Sequence, residues 1–359
     1  MSIHPYSNAE PWRLWRRAVS APPQGDVDPL IEFPFRIAPA DRIVTAGSCF
    51  AQHIARHLRE RGFNYFVTEP AHPVLDTETA ELFNYGVYSA RYGNIYSARQ
   101  LLQLFLRSHD EFTPCEPAWG ASGGFFDPFR PQIQPGGFPT FEEFTIDRTQ
   151  HLAAVRRAFA ELDVFIFTLG LTECWESRQD GAVFPICPGV SAGSFDPDRY
   201  RLRNTSVEEN VADLRQFVTA LRAVNPAARI VLTVSPVPLV ATAEAQHVLA
   251  ATTYSKSVLR VAADVICRTE DVAYFPSYEI ITGPHARGLY FEPDCRSVTQ
   301  AGVRHVMRSF FRHATTGSVA ELQPGATTQT PHLPDPGEAA VQVICEEESL
   351  DPGADRRGH

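Results

Sequence analysis

Residues 42–51, Arg42-Ile43-Val44-Thr45-Ala46-Gly47-Ser48-Cys49-Phe50-Ala51, decide how this chain is read. Arg42 to Ala46 is a short run of β-favouring residues, expected as a strand, and it stops at Gly47-Ser48. From Ala51 to Arg61, Ile54, His57 and Leu58 share one helical face, and Gly62 ends the helix. Phe63 to Val67 reads as a second strand. Strand, tight turn, helix and strand make the βαβ unit of a parallel sheet.

The same rhythm continues outward from this unit. A helix falls within 93–107, with Leu101, Leu102, Leu104, Phe105 and Leu106 as its apolar side. Helices at about 147–161, 206–224 and 245–266 lead into strands at 163–169, 229–234 and 272–275, and a last helix runs over 299–313. Each strand is a continuous apolar run, as expected when helices cover both faces of the sheet. Residues 1–40 read as an irregular Pro-rich N-terminal arm and 41–315 as the α/β domain. Within that domain, 108–145 is a loop-rich insertion. Residues 316–359, rich in Thr, Pro, Gly and acids, read as a disordered tail that truncation should leave dispensable.

With 359 residues, 44% hydrophobic and 21% charged, the composition is that of a globular protein. A net charge of −10 offers no electrostatic footprint for nucleic acid. No stretch approaches the ~18 apolar residues of a membrane span, and no signal-peptide pattern opens the chain, so a cytoplasmic location is expected. The seven cysteines show no CxxC pair and no zinc spacing, so neither a metal nor another cofactor is expected.

In an open parallel sheet, ligands bind beyond the carboxyl ends of the strands. Gly47-Ser48, Gly170 to Glu173, Ser235 to Pro238 and Pro276 to Glu279 follow strands there, and the last leads to a loop with His285, Asp294 and Arg296. Ser48, between strand and helix, can expose its hydroxyl beside helix N-terminal N–H groups that would receive an oxyanion. It would serve equally well as a helix N-cap.

Gly47-Ser48-Cys49-Phe50-Ala51 resembles the signature of the GSCFA family, placed with the SGNH (GDSL-like) hydrolases. Arg91 to Tyr96, Thr168 to Glu173, Thr233 to Leu239, Tyr254 to Ser257 and Tyr274 to Glu279 match further blocks, so the resemblance spans roughly 40–312. It implies a three-layer α/β/α, flavodoxin-like (SGNH-type) parallel sheet with long loop insertions. It also implies a serine esterase or O-acyltransferase, with acetyl ester chemistry on a carbohydrate. Ser48 would be the nucleophile, taking a small-molecule or glycan ester as substrate. Ser48 N–H, Gly93 or Asn94, and the Gly170–Glu173 block would hold the oxyanion, with Thr172 standing where the superfamily has an asparagine.

One departure from the pattern is sharper. Where the superfamily places Asp and His three residues apart, this chain has Asp294 and Ser297. Serine cannot act as the base for another serine at neutral pH. His285 is the first substitute and His247 the second, with His72 a third. Glu173 is read as orienting a base or binding substrate. Lys256 and Arg260, a helical turn apart, are read as an anion site or a solvated face. Two alternatives stay open: a non-catalytic carbohydrate-binding protein on the same fold, and an acyltransferase using Cys49.

Overall fold

Ile43 to Gly47 are all buried in the computed structural model, whose described residues are 4–121, 123–316 and 346–350. A strand hidden on both faces requires helices on each side, and the chain supplies them. The first half runs β1 (Ile43–Gly47), α1 (Phe50–Glu60), α2 (Thr77–Leu82), α3 (Ala98–Ser108), β2 (Trp119–Ala121), β3 (Gly124–Phe126) and α4 (Phe141–Glu161). The second runs β4 (Val164–Leu169), β5 (Glu173–Ser177), β6 (Val183–Phe184), β7 (Tyr200–Asn204), α5 (Val207–Val224), β8 (Arg229–Val234), α6 (Val248–Ile266), β9 (Val272–Tyr274), α7 (Ser277–Thr282) and α8 (Gln300–Ala314).

The main sheet has four parallel strands in the order β1-β4-β8-β9, with Ile43 beside Val164 and Val164 beside Arg229. On one face Phe50, Ile54 and Leu58 of α1 pack with Ile281 of α7 and Val303 and Phe310 of α8. On the other, Leu101 and Phe105 of α3 meet Phe159 of α4, Phe217 of α5 and Leu259 of α6. Among the described residues no helix is long and apolar enough to cross a membrane.

Several local expectations are corrected. The strand expected at 63–67 is reduced to a single parallel bridge from Tyr65 to Ile43. Its backbone is drawn elsewhere, with Asn64 N–H donating to Pro39 O and Thr68 N–H to Ser89 O. Helix α4 begins at Phe141, six residues before the expected start, because Thr140 caps it by accepting from Glu143 N–H. The 108–145 stretch carries the β2–β3 hairpin as well as loop. A second, antiparallel sheet of order β6-β5-β7 was not anticipated. It packs Phe184 and Tyr200 against Trp119 and Phe129.

The N-terminal arm is tied down: Asp28 accepts from Ser309 Oγ at 2.8 Å and pairs with His313, and Ile37 bridges to Thr315. The disordered-tail expectation is corrected at residues 346–350, which form a 3-10 turn, with Glu347 buried and Leu350 against the Trp119 cluster. The remainder of that tail, 317–345 and 351–359, lies outside the described residues.

Candidate functional site

The turn that ends β1 depends on Gly47. Its φ is +143°, and a Cβ there would stand 2.5 Å from Thr168 O, so only glycine lets β1 and β4 close at this level. Ser48 follows, 4% exposed, and its Oγ has no hydrogen-bond partner among the described residues. A buried hydroxyl without a partner is uncommon and calls for an explanation. It is not an N-cap: Cys49 occupies that position of α1 and no side chain caps the helix.

Three sequence blocks converge on Ser48. Ile95 N–H donates to Gly47 O at 2.9 Å, which brings the 93–96 turn to the end of β1. Gly93 makes that turn possible with φ +71°. Gly170 N–H and Leu171 N–H both donate to Tyr96 O at 2.9 Å. Gly170 also lies against the serine, since a Cβ on it would be 3.1 Å from Ser48 Cβ and 3.0 Å from Tyr96 O. The fourth participant is Lys256 of α6, 1% exposed, whose Nζ donates to Gly170 O at 2.7 Å.

The oxyanion donors anticipated from the sequence need revision. Ser48 N–H donates to Thr168 O at 3.3 Å. The Thr172 hydroxyl donates its only proton to Asn204 Oδ1 at 2.7 Å, so it is not a donor to substrate. Asn94 Oδ1 accepts from Gln52 Nε2 at 3.2 Å, and Asn94 O accepts from Gln100 Nε2. Gly170 N–H is spent on Tyr96, and its role is close packing. Asn204 on β7, beside Thr172, is a residue the sequence analysis does not single out, since it assigns no element to 200–204.

The expected bases have other partners. The His285 ring lies on Gly283 and edge-on to His305 at 6.4 Å, in the α7–α8 layer. Burial lowers its pKa. His247 is exposed and caps α6, accepting from Leu249 N–H. His72 is exposed and accepts from Val74 N–H. Asp294 accepts from Ser297 Oγ at 2.6 Å and from the Arg296 and Ser297 N–H groups, so the aspartate persists with serine as its partner. Glu173 anchors the loop before α6, accepting from Thr242 Oγ1 at 2.6 Å, and burial raises its pKa. Arg260, paired with Glu279 at 2.7 Å over the Tyr274 ring, forms no anion site with Lys256.

Lys256 is a buried cationic side chain hydrogen-bonded to the carbonyl of Gly170, the residue packed against Ser48. Burial brings its pKa down from 10.5 to about 8; Glu347 and Cys49 raise it and Arg296 lowers it. Arg296 in turn holds Glu347 at 3.2 Å. The sequence carried a signal for this residue that periodicity hides. Of 32 Lys and Arg residues, 31 are Arg and Lys256 is the single lysine.

A comparison with curated proteins returned no match. A solved structure from Streptococcus pneumonia, described by reference to platelet activating factor, is similar at 12% identity over 48% of this chain and 66% of that one. With a TM-score of 0.26 that likeness carries no argument. The sequence model described as the GSCFA family matches residues 42–310, the span that contains β1, the 93–96 turn, Gly170 and Lys256. With three quarters of its length in that match, the chain belongs to the GSCFA family.

Proposed function

We propose that this protein hydrolyses or transfers acyl esters with Ser48 as nucleophile, on an SGNH-like arrangement of the sheet. One observation carries the reading: a buried serine hydroxyl at a strand–helix turn, without a partner among the described residues and with glycines on two sides. A catalytic role is one explanation of an unbonded buried hydroxyl, and the place of Ser48 between a strand end and a helix start favours it. The strand order agrees with a flavodoxin-like sheet, the Tyr65 bridge standing outside β1 where a further strand would lie. With Ala51 N–H and Gln52 N–H donating to Ser48 O and Cys49 O, Gly93 N–H and Phe50 N–H are the donors assigned to the oxyanion. Acetyl as the acyl group and a carbohydrate as its carrier follow from the family resemblance.

A second reading has one observation in its favour. Cys49 adjoins Ser48, is 7% exposed and lies within electrostatic reach of Lys256. A thiol beside a cation is a nucleophile of a different class. The two separate with p-nitrophenyl acetate. Ser48→Ala is expected to lose at least ~10³-fold in rate while folding normally, and Cys49→Ala to keep most of it. The reverse pattern would transfer the role to the thiol. A wild-type protein inert to acyl probes that still binds glycans would favour a carbohydrate-binding module.

A further inference from the structure

We infer that Lys256 is the catalytic base of this site, taking the Ser48 proton in the place that Ser297 leaves without an imidazole. The inference rests on Ser48 being the nucleophile. Its first support is position. Lys256 Nζ and Ser48 Cβ approach the same residue, Gly170, the amine at its carbonyl and the serine at its Cα. The second is burial: at 1% exposure Lys256 is among the largest fully buried side chains. A buried ammonium costs several kcal/mol unless a charge pairs with it closely, and its one direct hydrogen bond among the described residues is to a neutral carbonyl.

The third support is composition. A chain that uses arginine at 31 of 32 cationic positions uses lysine once, at the carbonyl of Gly170. Arginine stays protonated in proteins and cannot serve as a base, whereas a buried lysine can give up its proton. Arg260, one turn further along α6, keeps an ordinary ion-pair role. The fourth is that the three histidines expected as bases, His285, His247 and His72, have other partners: Gly283 and His305, Leu249 N–H, and Val74 N–H.

The chemistry balances without a co-reactant. Neutral Nζ keeps one N–H on Gly170 O and turns its lone pair to the Ser48 hydroxyl. As Oγ bonds to the ester carbonyl carbon, the hydroxyl proton passes to Nζ, giving the ammonium. As the C–O bond to the leaving group breaks, the ammonium returns that proton to the departing oxygen. Water repeats the cycle on the acyl-serine for hydrolysis, or an acceptor alcohol does so for transfer. Ser48 Oγ has no partner among the described residues, so its side chain must turn toward Nζ for the first step, a tightening common once substrate binds. A buried lysine with a pKa near 8 is half neutral close to working pH. The charges facing it are Glu347, Cys49 and Arg296. Serine–lysine pairs are an established solution to serine activation on unrelated folds.

Because the chain has one lysine, protein labelled with ε-¹³C-lysine gives a single lysine signal, and its titration reads Lys256 directly. The expected midpoint lies near 8, and the rate of Ser48 acylation by p-nitrophenyl acetate should rise with the same midpoint. Lys256→Arg and Lys256→Ala should each lose at least ~10³-fold in acylation while melting cooperatively. Added methylamine should restore part of the rate to Lys256→Ala alone. Ser48 acylated at wild-type rate in both variants would overturn the inference and leave Ser48 as nucleophile intact. A lysine midpoint near 10.5 with no matching rate midpoint would also overturn it. Wild-type protein unable to acylate Ser48 would instead remove the serine reading on which it rests.

Discussion

At the residue scale, the Lys256 amine is hydrogen-bonded to the carbonyl of Gly170, the residue packed against Ser48, and the amine's protonation has a consequence for stability. The folded-state pKa of Lys256, about 8, lies below its ordinary 10.5. Between those values the unfolded chain binds more protons, so stability rises with pH across that window, and the penalty is fully present below about 8. A shift of this size corresponds to roughly 3 kcal/mol, from which the lost bond to Gly170 O removes about 1 kcal/mol when the side chain is made apolar. Lys256→Met is therefore expected to raise the melting temperature at pH 7 and abolish acylation, the trade expected of a functional burial. A lowered melting temperature would mark Lys256 as structural. That Ser48, Gly93 and Gly170 would meet was legible because each follows or faces a strand end of an open sheet. Lys256 was not, since a turn-spaced Lys256–Arg260 pair says nothing about which face is buried. His285 drew attention by sharing a loop with Asp294, but the turn at Gly283 directs its ring into the α7–α8 layer.

At the element scale, the 346–350 turn reaches the site through one carboxylate. Glu347 is buried, pairs with Arg296 and raises the Lys256 pKa, while Arg296 lowers it and Cys49 raises it. Glu347→Gln removes a charge that favours the ammonium, so the midpoint of the pH–rate profile for acylation should move below that of the wild type. An unchanged or higher midpoint would show that this carboxylate is not felt at Nζ. Nothing in the composition of 316–359 announced such a contact, because a single charged residue docking on a distant arginine leaves no periodic trace. The central strands were legible to within a residue or two, being short continuous apolar runs between helices. The β5–β7 strands were not. They mix Glu176 with Arg201 and Arg203, which pair across the sheet, and in sequence such charges read as loop. The 63–67 strand failed for the opposite reason: its residues favour β structure, but its backbone groups find partners at Pro39 and Ser89 first.

For the whole molecule, the parallel sheet with helices on both faces does one thing for function: it brings segments distant in sequence to the carboxyl ends of β1 and β4. Ser48, Gly93, Gly170 and Lys256 come from four separate stretches and meet through backbone contacts that the three glycines permit. The family match covers all four. The central claim is that Ser48 is the nucleophile, and its most direct test is the site of covalent capture. A fluorophosphonate forms a P–O bond with an activated serine and expels fluoride. After treatment at pH 8, intact mass should rise by one adduct, and peptide mapping should place it on Ser48. An unmodified protein, or an adduct on any other residue, would contradict the account.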